Sequence, residues 1–121
     1  MMNTSKHFSV DSEQLGDTIL LHLHGYLDAF TAPLLEAEFT KHISNNDYKF
    51  IADFSDVEYI GSAGLGVFMM FIEEIRNNKG DIKFAAMQST VFTVFDLLGF
   101  PMIYSIVDTI EEAKNLFDSK Q

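Results

Sequence analysis

The stretch Asp53-Phe54-Ser55-Asp56-Val57-Glu58-Tyr59-Ile60-Gly61-Ser62-Ala63-Gly64-Leu65-Gly66-Val67 holds the residues whose types and spacing could do chemistry. It reads as a strand, a turn, and a serine at or near the first position of a helix. The opening turn of that helix contains Gly64 and Gly66. Glycines there leave backbone amides uncovered, so an anion or another protein can approach closely. The competing reading is that they only let the helix pack tightly on a sheet, with Ser62 as its cap. Enzyme frames fail on the same residues. A nucleophile elbow needs glycine where Ile60 stands and a histidine after the serine, yet His7, His22, His24 and His42 all precede Ser62. A phosphate-binding loop needs lysine where Val67 stands, and a dinucleotide fingerprint needs glycine where Met69 stands. No catalytic residue is expected.

His22 and His24 lie two apart on a strand and so share a face, which could in principle grip a metal. No third ligand follows from spacing. They read as exposed strand histidines, with no metal site and no cofactor. The run Val67-Phe68-Met69-Met70-Phe71-Ile72 is apolar around more than one helix face and reads mainly as core, with an adaptable Met-rich edge beside Ser62.

The elements that must position Ser62 follow from periodicity. Ile19, Leu21 and Leu23 alternate with Leu20, His22 and His24, which predicts a strand over Thr18 to Leu27. Gly16-Asp17 reads as a hairpin turn, with His7 to Ser12 as partner strand. Asp28 to Thr31 carries short polar side chains that can start a helix, with Pro33 in its first turn and Leu34, Leu35, Phe39 and Ile43 at helical spacing. Asn45 and Asn46 end it. Lys49 to Phe54 suits a short central strand, Ser62 to Arg76 a helix, and Asp81 to Met87 another strand. Ser89 reads as the cap of a helix over Thr90 to Leu98, stopped by Gly99 and Pro101. A short strand near Tyr104 to Val107 and an amphipathic helix over Thr109 to Phe117 follow. In that helix Ile110, Ala113, Leu116 and Phe117 form the buried stripe, with Glu111 and Glu112 in the first turn. Strands alternating with helices after a hairpin imply an α/β domain with a mixed sheet of four or five strands.

Composition bounds the function. The 121 residues make about one domain, spanning 1–121. Apolar residues make up 47% and charged residues 21%, so a packed core is expected. With 18 acidic and 8 basic side chains the net charge is −10, which argues against nucleic-acid and anionic-membrane partners. Cysteine is absent, which excludes disulfides and thiolate chemistry. The longest apolar run, Val67 to Ile72, is far short of the roughly 20 residues that span a bilayer. A cytoplasmic location without membrane insertion is expected.

Three segments resemble the STAS domains, and within them the bacterial anti-sigma factor antagonists. Asp53 to Val67 is similar to their signature, a strand leading to a serine followed by x-Gly-Leu-Gly. Gly25-Tyr26-Leu27-Asp28-Ala29-Phe30-Thr31-Ala32 resembles their Gly-x-Leu-Asp-x-x-Thr-Ala segment. Val91-x-x-Val94-Phe95-x-x-x-Gly99-Phe100 resembles their third-helix pattern, and Glu111-Glu112-Ala113 falls where their last helix begins. The resemblance implies a STAS fold with four helices and a non-enzymatic, partner-switching phosphoprotein in transcription regulation. Its partner would be an anti-sigma factor that is also a serine kinase, opposed by a serine phosphatase. It further implies Ser62 as phosphoacceptor, with Asp28, Thr31, Gly61, Ala63, Gly64, Leu65 and Gly66 on the partner surface. Other STAS functions are a non-phosphorylated scaffold, a transport-assembly subunit and a small-ligand sensor. Two positions depart from the family pattern. Gly61 stands where an Asp commonly precedes the acceptor, which bears on kinase recognition. Ala63 stands where a Ser or Thr often follows it, leaving Ser62 as the one hydroxyl in the turn. If a partner carboxylate lay roughly 6 Å from a phosphate there, repulsion would be about 1.4 kcal/mol at water-like dielectric and about 5.5 kcal/mol near a dielectric of 20.

Overall fold

The computed structural model describes residues 7–118. Strands β1 (Phe8–Leu15) and β2 (Thr18–Leu27) form the hairpin about Gly16 and Asp17. Helix α1 (Ala32–Ile43), strand β3 (Lys49–Ile60), helix α2 (Ser62–Asn77), strand β4 (Asp81–Ala85) and helix α3 (Ser89–Leu97) follow. A short 3₁₀ turn (Phe100–Met102), strand β5 (Ser105–Val107) and helix α4 (Ile110–Asp118) complete the described residues. The sheet order is β1-β2-β3-β4-β5, with β1 antiparallel to β2 and all other pairs parallel. This is the expected mixed sheet, with five strands and four α-helices.

The period-2 pattern of β2 explains the layering. Ile19, Leu21 and Leu23 face one side and join Phe50, Ala52, Phe54 and Phe84 beneath α1, α2 and α3. Leu20 faces the other and joins Ile51, Ala85 and Ala113 beneath α4. Phe84 sits at the centre of the larger layer, its ring 4.9 to 5.6 Å from those of Phe54, Phe68, Phe95 and Tyr104. Parallel strands buried on both faces read as continuous apolar runs, as Phe50 to Phe54 nearly does.

Several boundaries differ from expectation. Strand β1 continues to Leu15 because it pairs with all of β2 as far as Thr18. Strand β3 runs on to Ile60, twice the expected length. Beyond Asp53 it has lost β4 as a neighbour and pairs with β2 alone, through two register shifts that spoil the alternation. Strand β4 stops at Ala85, short of Met87, where Ala86 takes a positive φ of 66°. Ser89 is the first residue of α3, not its cap; Gln88 holds the capping position. In α4, Leu116 is exposed, so the stripe is Ile110, Ala113 and Phe117. That helix is opened by a capping box: Glu112 Oε1 accepts from the Thr109 amide, and Thr109 Oγ1 accepts from the Glu112 amide.

Phe84→Ala should cost about 3–5 kcal/mol, because four rings surround a side chain with no accessible surface. Urea unfolding would read this as a lower midpoint at unchanged slope.

Candidate functional site

Gly61 is the single residue between β3 and α2, so the expected turn is absent and Ser62 is the first helical residue. The Gly61 amide donates to the Leu27 carbonyl at 2.9 Å, joining the end of β2 to the start of α2. Leu27 pairs with Ile60, so the loop that begins at Asp28 and the helix that begins at Ser62 leave the same end of the sheet side by side. Sequence reasoning had grouped these segments only by resemblance; the ladder brings them together.

The first turn of α2 divides in two. Gly64 and Leu65 are buried. A Cβ at Gly64 would sit 2.6 Å from Leu27 Cγ and 3.1 Å from its carbonyl oxygen, so this glycine lets helix lie against strand. Gly66 meets nothing within 4 Å. Tight packing therefore explains Gly64 and not Gly66. Ser62 is exposed, Gly61 before it holds the capping position without a side chain, and Ala63 and Gly66 are half-buried beside it. The amides of Ser62, Ala63 and Gly64 are first-turn donors that no carbonyl of their own helix can reach.

Asp28 and Thr31 are occupied locally. Asp28 Oδ1 accepts from the amides of Phe30 and Thr31 at 3.0 and 3.2 Å. Thr31 Oγ1 donates to the Tyr26 carbonyl at 2.8 Å and accepts from the Asp28 amide at 2.9 Å. These bonds shape a turn that projects Phe30, 92% exposed, into solvent. Leu34 follows it on the surface of α1, and Met69 and Met70 are exposed on α2. The Met-rich edge expected from the sequence is thus these two residues, while Val67 and Phe68 belong to the core.

Aromatic residues at the site were missed by sequence reasoning. Tyr26 and Tyr59 stack at 5.7 Å between centroids. The Tyr59 hydroxyl lies 3.2 Å from where a Cβ on Gly61 would be, so its ring occupies the space of a side chain at position 61. The only sequence signal was the absence of a side chain at Gly61 itself. Asp56 and Glu58 flank the buried Val57 and line a pocket with His24, facing away from the layer that holds α2. Of these acids and Asp28, only Asp28 leaves the sheet beside Ser62. His22 and His24, expected as exposed strand histidines, are half-buried and bonded to carboxylates. Asp53 Oδ2 and Glu13 Oε1 lie 2.9 and 3.2 Å from His22 nitrogens, and Asp56 Oδ2 lies 3.1 Å from His24 Nδ1. Among the described residues no group of three or more His, Asp or Glu side chains is arranged to hold a metal. No described helix is long and apolar enough to cross a membrane.

The family model of the STAS domain matches residues 9–113. A Bordetella bronchiseptica protein, BtrV, assigned as an anti-sigma factor antagonist, is 25% identical over 105 residues, covering 87% of this chain and 90% of its own length. An anti-sigma factor antagonist from Mycobacterium paratuberculosis superimposes with a TM-score of 0.87 at 19% identity, covering 98% of this chain and all of its own. The Bacillus cell fate determinant SpoIIAA, an anti-sigma factor antagonist, has solved structures in two states. The unphosphorylated form gives a TM-score of 0.80 and the phosphorylated form 0.71, each at 21% identity, covering 93% and 90% of this chain and 99% of theirs.

The two glycines of α2 should respond to alanine with opposite signs. Gly64→Ala forces methyl against Leu27 and should destabilise by about 1–3 kcal/mol. Gly66→Ala fills open space in a helix and should stabilise by up to about 1 kcal/mol. Paired thermal melts of the two variants check both.

Proposed function

This chain belongs to the STAS domain family, and from that premise we propose that it is an anti-sigma factor antagonist switched by phosphorylation of Ser62. The observation that carries the reading is the position of Ser62: exposed, at the first residue of α2, directly after Gly61, which caps the helix without a side chain. Relatives named as antagonists support the class. In this reading the unphosphorylated protein works in the cytoplasm and binds an anti-sigma factor with serine-kinase activity. The kinase phosphorylates Ser62 and the complex parts; a serine phosphatase restores it. Phe30, Leu34, Met69 and the Tyr59 ring offer the apolar contact around Ser62, and Gly61, Ala63 and Gly66 let the partner's backbone come close. Asp28 and Thr31 serve it by holding Phe30 outward. Buried Gly64 and Leu65 act through the packing of α2 and not by contact.

A phosphate at this position brings about −1.5 to −2 charges to a helix N-terminus, where the dipole and the first-turn amides tolerate it. The domain stays folded, and the repulsion falls on the partner. The protein itself contributes no chemistry to the transfer. His22 and His24 are engaged by carboxylates on the other face of the sheet and His42 by Glu38, so none of the three serves Ser62 as a base.

Incubation with ATP and a kinase-type anti-sigma factor from the same genome should place phosphate on Ser62, read by mass spectrometry. Stoichiometric phosphorylation should weaken that complex at least about tenfold. Ser62→Asp, with about half the charge, should weaken it less, and Ser62→Ala should bind and resist modification. Phosphate on Ser55, Ser89 or Thr90 in place of Ser62 would sink the site, and unchanged affinity after modification would sink the switch.

A further inference from the structure

The half of the sheet that α4 leaves uncovered carries a bridge that the antagonist reading does not use. His22 on β2 has Asp53 of β3 directly opposite and Glu13 of β1 on the diagonal, two residues from its paired Asp11. His22 Nδ1 is 2.9 Å from Asp53 Oδ2, and its Nε2 is 3.2 Å from Glu13 Oε1. A neutral imidazole donates from one nitrogen only, and an ionised carboxylate only accepts. Both contacts are hydrogen bonds at once only when the ring carries two protons. Asp53 cannot swing away, since its residue is 8% exposed and its other oxygen accepts from the Ser55 amide at 3.0 Å.

We propose that Glu13, His22 and Asp53 form a proton-dependent clamp that ties edge strand β1 to β3 across β2 and loosens β1 when His22 loses a proton.

The carboxylates beside His22 favour its protonated ring, and other charged groups line the same face on either side. Asp11 on β1 and Asp56 on β3 flank His24, the next residue of β2 on this face, at 3.8 and 3.1 Å. Glu58 and His7 line the pocket beyond His24. At the opposite end, Lys114 and Asp118 of α4 line a separate pocket with Gln14, Gly16 and Thr18. Burial disfavours charge on His22, but the bonds to Asp53 and Glu13 outweigh it and raise its pKa. Burial likewise works against ionised Asp53, and the bonds from Ser55 and His22 outweigh it and lower its pKa. The signs define the window. His22 holds its full contribution below the usual histidine value of about 6.5 and loses it as pH rises through its higher folded value. Asp53 holds its contribution above the usual carboxylate value of about 3.9 and loses it as pH falls through its lower folded value. The clamp is closed between these limits.

The test uses the whole chain without any partner. Histidine ring signals followed by NMR from about pH 5 to about pH 9 give the His22 midpoint. Amide exchange over the same range, corrected for intrinsic rates, gives the protection of β1. His22 should titrate above its usual value. Protection across β1 should fall with that midpoint, by up to about tenfold for each unit of elevation, while β3 amides from Phe50 to Asp53 hold steady. Glu13→Gln, at an exposed edge where folding is not at risk, should lower the midpoint and shrink the step. His22→Gln should abolish the step and His24→Gln should leave it. A His22 midpoint at or below the usual value, a step that survives in His22→Gln, or a parallel loss of protection in β1 and β3 would each overturn the clamp.

Discussion

The close approach of α2 to the end of β2 is the contact on which the rest of the site depends. One hydrogen bond, Gly61 amide to Leu27 carbonyl, and one missing side chain, at Gly64, bring the helix against the strand. A buried carbonyl left without a donor costs about 1–3 kcal/mol, so the bond at Leu27 settles where β3 ends as firmly as any residue preference does. The helix then begins one residue later, and Ser62 has no freedom to sit elsewhere. Because strand and helix share no loop, the position of the hydroxyl inherits the rigidity of the sheet.

That rigidity separates two surfaces by chemistry. At the end of α1 and α2 that holds Ser62, the exposed groups include that serine and the apolar side chains of Phe30 and Met69. On the uncovered side of the sheet lie paired histidines and carboxylates. The separation follows from the alternation of β2, in which Leu21 and Leu23 of the larger layer are each followed by a histidine of the opposite face. A substitution on one side therefore reaches the other only through the strand itself. The loop of Asp28 and Thr31 belongs to the first surface as scaffold: its polar groups point at its own backbone, and the side chain it presents outward is aromatic.

Much of this was legible in the sequence, for reasons that differ by element. Strand β2 was read to the residue because its alternation is bounded by turn formers on one side and by Asp28 on the other. Ser62 was placed correctly at the helix start because two glycines and the onset of helical spacing from Leu65 meet there. The second half of β3 was not legible. Asp56 and Glu58 read as turn residues, yet they are strand residues on a solvated face, shifted by bulges that depend on the pairing with β2. The buried role of Gly64 and the open one of Gly66 were equally hidden, since their spacing is identical in kind and only the position of Leu27 separates them. Tyr26 and Tyr59 looked like ordinary strand formers. Their contact crosses from one strand to another and rests on a register that no local pattern encodes.

The stacked tyrosines carry a practical consequence. The chain has no tryptophan and four tyrosines. Tyr104 is buried in the aromatic core, and Tyr48 is partly buried against it from the far end of β3. The stacked pair is thus half of the tyrosines and borders Gly61. Its exciton coupling and fluorescence yield depend on a ring separation that an occupant of the neighbouring surface would disturb. The protein carries an optical reporter within its own site, and a tryptophan-free background leaves that signal unmasked.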